Sequence, residues 1–183
     1  MSQSALLVMD VQDTIVARYG GHGDLGPLRR AVGAARAHGI PVIYVVVGFR
    51  PGRPEVSPRN KVFGPLAGRE TVPGEEEANR IHTAVAPREG DVIVTKRRVS
   101  AFSGSDLDMV LRAGGIDHLV LTGVATSGVV LSTLRQAADL DYVLTVLSDA
   151  CLDGDPEVHR VLTEKVFPRQ AEVTTADAWS GTL

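Results

Sequence analysis

The chain has 183 residues, 44% of them hydrophobic and 22% charged, a length and balance that suit a single globular domain spanning residues 1–183. A formal net charge of −3 excludes the basic footprint of a nucleic-acid binder. No apolar run reaches the length of a membrane span, the N-terminus lacks the basic and apolar regions of a signal peptide, and the single Cys151 rules out an internal disulfide, so a soluble cytoplasmic protein is expected.

Residues 5–9 form a continuous apolar run that ends at Asp10 and predict a first strand. Residues 25–38 place Leu25, Leu28, Val32 and Ala35 on one helical face, and Gly39 closes that helix. Residues 41–47, rich in Val and Ile, predict a second strand. Residues 50–74 are rich in Pro, Gly and Arg and predict a long loop of the kind that often carries function. Residues 75–86 predict a short helix with acidic residues in its first turn, where the helix dipole favours them.

Residues 91–95 predict a third strand, ending at Lys96. Residues 105–113 predict a helix opened by a capping-box-like pair, Ser105 and Asp108. Residues 119–122 predict a fourth strand, followed by a glycine-flanked turn and a helix reaching about residue 140. Residues 142–147 predict a fifth strand, residues 156–166 a helix capped by Asp155, and residues 171–175 a sixth strand. Apolar strands alternating with amphipathic helices imply an α/β protein: a three-layer α/β/α sandwich around a six-stranded, mainly parallel sheet.

Open α/β sheets bind ligands beyond the carboxyl ends of their strands. Asp10, Lys96 and the turn at residues 124–129 all fall on that edge. A carboxyl group beside an ammonium in an apolar crevice is a candidate acid or base. Other chemistries fail on their residues. Gly123-x-x-x-x-Gly128 is followed by Val129 and Val130, so it is no P-loop. His22, His38, His82, His118 and His159 show no metal-ligand spacing. The stretch from Asp149 to Gly154 has Arg160 where a calcium loop needs Glu.

Several segments together resemble the isochorismatase-like hydrolase superfamily, which has a Rossmann-like α/β/α fold. They are Leu6-Leu-Val-Met-Asp10-Val-Gln12, Val94-Thr-Lys96 with Ser100-Ala-Phe102, Leu121-Thr-Gly-Val-Ala-Thr126, and Ser148-Asp149-Ala150 followed by His159. The resemblance covers the whole chain. It implies Asp10 as general acid/base, Lys96 as its cationic partner, and a cis peptide between Val124 and Ala125 shaping an oxyanion hole. It also implies a homo-oligomer, a dimer or tetramer.

The amidohydrolases of that superfamily carry Thr-x-x-Cys-Val, where this chain reads Thr126-Ser127-Gly128-Val129-Val130. Val129 therefore stands at the nucleophile position, and its isopropyl group cannot form a covalent intermediate. The isochorismatases proper also lack that cysteine, which leaves a non-covalent route in which water attacks. Ser127 is expected to cap the following helix rather than replace the thiol.

The expected activity is hydrolysis of a small, anionic metabolite. The alternatives are a catalytically silent binding or regulatory protein, or an amidohydrolase with a non-standard nucleophile. Gln12, Phe49, Arg50, Phe102, Thr126 and Ser127 are the candidate substrate contacts, with Arg50, Arg53, Arg59 and Lys61 bringing positive charge to the crevice. The superfamily's metal site needs an Asp and several His after the second strand. The segment from Phe49 to Pro54 has none, so no metal and no cofactor is expected.

Overall fold

The computed structural model describes residues 3–20, 24–72 and 74–183. Its centre is one six-stranded sheet, β1 (Ser4–Met9), β2 (Val42–Val47), β3 (Val92–Lys96), β4 (His118–Val124), β5 (Val143–Leu152) and β6 (Glu172–Thr174). The spatial order is β3-β2-β1-β4-β5-β6, and every pairing is parallel. Only long crossovers can join parallel neighbours, so helices cover both faces and the central strands are apolar on both sides. In β1 every residue after Ser4 is buried.

Alternate residues feed the two cores. Leu7, Met9, Val45, Leu119 and Leu121 face α4 (Leu107–Ala113) and α5 (Leu131–Asp139), along with Phe167. Leu6, Val8, Tyr44 and Val120 face α1 (Asp13–Gly20), α2 (Gly26–Ala37) and α7 (Ala176–Ser180). The other two helices are α3 (Glu75–Ala78) and α6 (Pro156–Val161). The result is the expected three-layer sandwich, with the sheet wholly parallel. Among the described residues, no helix is long and apolar enough to cross a membrane.

The helix expected over residues 75–86 is shorter than its sequence suggests. It stops at Ala78, and a separate 3-10 turn follows at Thr83–Val85. The Gln12 carboxamide donates to the Asn79 carbonyl at 2.7 Å, an acceptor that a continuing helix would need. The His82 N–H donates instead to the Val11 carbonyl at 2.8 Å. The capping box at Ser105 also fails to form. Ser105 Oγ donates to the Ala101 carbonyl, Asp108 pairs with Arg112, and the helix begins at Leu107 with no side-chain cap at Asp106. Asp155 does cap α6, accepting from Glu157 N at 2.9 Å and Val158 N at 3.3 Å.

β5 runs five residues past the expected end at Leu147, and its register against β4 changes on the way. Leu121 pairs with Val146, an offset of 25, while Gly123 pairs with Cys151, an offset of 28. The three extra residues bulge out, and Asp149 at the bulge accepts the Ala176 N–H at 2.7 Å, holding the start of α7.

Candidate active site

β1 ends beside β4 at a very close backbone approach. A Cβ added to Gly123 would lie 2.3 Å from the Met9 carbonyl oxygen, and Gly123 has φ 145°, so only glycine fits there. This approach fixes the end of β1, and the next residue turns sharply. Asp10 has φ 55°, a left-handed conformation that the short polar Asp tolerates better than most side chains. Its N–H still donates to the Val45 carbonyl at 2.8 Å, so the carboxyl group leaves the sheet from a fixed base.

Lys96, at the end of β3, reaches the same point across β2. Its Nζ lies 2.9 Å from Asp10 Oδ2, and the residue is only 1% exposed. It also donates to the Arg98 carbonyl at 2.8 Å. The second carboxyl oxygen, Asp10 Oδ1, is buried with no hydrogen-bond partner in the protein. Burial pushes the Asp10 carboxyl up from 3.8 to about 6, against the pull of the Lys96 charge and hydrogen bond. The site therefore holds a carboxyl that ionises close to neutrality, with one oxygen held by an ammonium and the other unpaired.

The turn after β4 stands on the same edge. The Val124–Ala125 peptide bond is cis, and Thr126–Val130 form one π-helical turn leading into α5. Gly128 N and Val130 N both donate to the Ala125 carbonyl, at 3.1 and 3.2 Å. Val129 is buried within the apolar core. Ser127 does not cap this turn, and its N-cap position, Ala125, supplies no side-chain cap. The cap comes from a residue distant in sequence: Asp153 Oδ2 accepts the Ser127 N–H at 2.7 Å.

The remaining expected contacts separate into engaged and available groups. Gln12 works as a staple: its carboxamide donates to the Asn79 and Val47 carbonyls and accepts from Val47 N at 2.9 Å. Thr126 Oγ1 donates to the Leu152 carbonyl at 3.2 Å and lies 2.8 Å from His159 Nδ1. Phe102 packs in the core against Tyr142. Phe49 packs edge-on against Phe63, within the 50–74 loop.

Two of the loop cations are already neutralised. Arg53, buried at 6%, pairs with Glu75, and Arg50 pairs loosely with Glu55 at 3.4 Å. Arg50 keeps 63% of its side chain exposed, and Arg59 and Lys61 are exposed.

Sequence reading missed the connections made by His159, Asp153, Glu55 and Arg98, none of which has a local spacing that would mark it. Cys151 is buried beside β4, and burial pushes its thiol up to about 12. Two cavities, about 480 and 350 Å³, lie elsewhere, one lined by Asp13, Leu25 and Arg29 and the other by Asp149, His159 and Glu164. Among the described residues, which exclude His22, no group of three His, Cys, Asp or Glu could hold a metal ion.

The chain as a whole is similar to proteins known by sequence or structure. The isochorismatase domain matches residues 4–178. A ureidoacrylate amidohydrolase, RutB, of Stutzerimonas stutzeri (strain A1501) is 36% identical over 181 residues, covering 85% of this chain and 72% of that protein. Among solved structures, an isochorismatase family protein from Burkholderia thailandensis superposes with a TM-score of 0.86 at 31% identity, over 99% of this chain and 95% of that one. N-carbamoylsarcosine amidase from Thermoplasma acidophilum gives 0.71 at 28% identity, over 96% and 97%. With the domain matched across nearly its whole length, the chain belongs to the isochorismatase family of hydrolases.

Proposed function

We propose that this chain hydrolyses a small carboxylate-bearing metabolite by a non-covalent route, with Asp10 as acid/base, Lys96 as its electrostatic partner and water as nucleophile. The observation that carries this reading is the unpaired, buried Asp10 Oδ1 beside the 2.9 Å contact of Oδ2 with Lys96. A carboxyl near 6 is largely ionised at neutral pH and can take a proton from water. Once protonated, it can return that proton to the leaving group. The Val124–Ala125 turn, on the same edge of the sheet, is the segment we assign to hold the developing oxyanion.

Val129 at the nucleophile position supports the absence of a covalent step, and a thiol as inert as Cys151 does not supply one. Two relatives are named for carboxylated substrates, a ureidoacrylate and an N-carbamoylsarcosine. Arg50, exposed and only loosely held by Glu55, is the cation we assign to exchange its partner for a substrate carboxylate.

The test is Asp10→Asn. It should abolish turnover, a loss of about 10²-fold or more, while the far-UV circular dichroism stays unchanged. A fully active variant would remove Asp10 from the mechanism. Val129 also favours a second reading, a binder without turnover. That reading predicts ligand binding but no product across amides, esters and enol ethers, and any turnover that depends on Lys96 excludes it.

A further inference from the structure

The Lys96 ammonium is aimed by two acceptors, Asp10 Oδ2 at 2.9 Å and the Arg98 carbonyl at 2.8 Å. The first belongs to a residue fixed by β1. The second has no such support, because β3 ends at Lys96 and Arg98 lies outside the sheet. The guanidinium of the same residue braces it. Arg98 Nη1 donates to the Arg97 carbonyl at 2.7 Å, and Nη2 donates to the Glu55 carbonyl at 2.6 Å.

The far anchor is itself held. Glu55 Oε1 accepts the Arg50 N–H at 3.0 Å and lies 3.2 Å from Arg97 Nε. Arg97 Nη1 donates to the Gly48 carbonyl at 2.8 Å, and Arg97 N donates to the Ser103 carbonyl at 3.1 Å. The loop after β2 and the segment after β3 are thus locked together beside the buried pair. Lys96 is the charged group that acts on Asp10, while the Arg97 and Arg98 guanidiniums are directed to backbone carbonyls and to Glu55.

We infer that Arg98 is a positioning residue for the Asp10–Lys96 pair: its guanidinium braces the 96–98 segment against Glu55 and so holds the carbonyl that aims Lys96. The planar fork of arginine can span two carbonyls at once, which a lysine ammonium on its flexible stem does far less well. The role rests on the proposed function only in treating Asp10 and Lys96 as the working pair. It acts through Lys96 and needs no contact between Arg98 and substrate.

The experiment titrates the Asp10 carboxyl by carbon-13 NMR in the substrate-free wild type, Arg98→Ala and Arg98→Lys. Loosening Lys96 weakens its pull on the carboxylate, so the Asp10 midpoint in Arg98→Ala should rise by about one pH unit. Arg98→Lys should move it less, in the same direction. The acidic limb of the kcat profile should follow the midpoint while KM stays constant. An unmoved midpoint in folded Arg98→Ala overturns the inference. If that variant fails to fold, Arg98→Lys decides alone, and an unmoved midpoint there overturns it equally. The titration needs no turnover, so an active Asp10→Asn enzyme would defeat the proposed mechanism while leaving this result to stand or fall separately.

Discussion

Asp10 and Cys151 are two buried acids on the same edge of the sheet, and their difference shows what a second strand's charge does to a buried group. Met9, Gly123 and Cys151 lie in one row across β1, β4 and β5, with Asp10 directly after the first of them. Burial pushes both groups upward. Asp10 has the Lys96 ammonium at 2.9 Å to oppose that push, and its carboxyl settles at about 6. Cys151 has no such cation and rises to about 12, with the Asp149 charge adding to the rise. Starting from 3.8 and 9.0, the two groups are raised by the same desolvation, which leaves one ionising near neutrality and the other far above it.

Removing the cation should enlarge the upward shift of Asp10 to match or exceed that of Cys151. Lys96→Met leaves Asp10 desolvated without its counterion, so its midpoint should climb well above 6 and the rate at pH 7 should fall about 10²-fold. Steady-state kinetics and the Asp10 titration measure both. Wild-type turnover in Lys96→Met would break the comparison at its base.

A second, smaller effect lies in stability. Unfolded Asp10 titrates near 3.8 and folded Asp10 near 6. Below 3.8 the group is protonated in both states and its contribution is fully present. As pH rises through 6, the folded state must ionise a buried carboxyl, and that contribution is lost. The shift of about two units corresponds to about 3 kcal/mol. Wild type should therefore lose about 3 kcal/mol relative to Asp10→Asn between pH 3.5 and pH 7. Urea melts of both proteins at several pH values read this difference directly, and parallel curves would mean that Asp10 is not desolvated in the fold.

The smallest effect belongs to the thiol. Cys151→Ala should keep the rate within about twofold and cost about 1 kcal/mol for the small cavity it leaves. Native wild-type protein should resist iodoacetamide at pH 8 and react only when unfolded. Rapid alkylation that stops turnover would assign Cys151 the nucleophilic role denied it here.

The sequence displays the strands clearly because central parallel strands are apolar on both faces, a pattern independent of distant contacts. It also displays Asp10 and Lys96, since each is a charged residue closing such a run. The helix over 75–86 was misread because Gln12, some 67 residues earlier, takes the Asn79 carbonyl that the helix required. α1 and α7 escaped notice because eight and five residues are too short for a convincing periodicity. The Arg98 brace leaves no trace in sequence at all. Its acceptors are backbone carbonyls, and every residue has one. The Asp153 cap is hidden in the same way, because its partner is the backbone N–H of Ser127.

The register change in β5 makes that strand two pieces in one. Residues 143–146 pair with β4 and residues 145–147 with β6, while Cys151 and Leu152 pair with the end of β4 at the site edge. The bulge between them carries Asp149, which faces away to α7. Asp149 holds the start of α7, and the Leu152 carbonyl three residues on holds Thr126. The mount of α7 and the anchor of Thr126 are thus separate stretches of one strand, divided by the register shift.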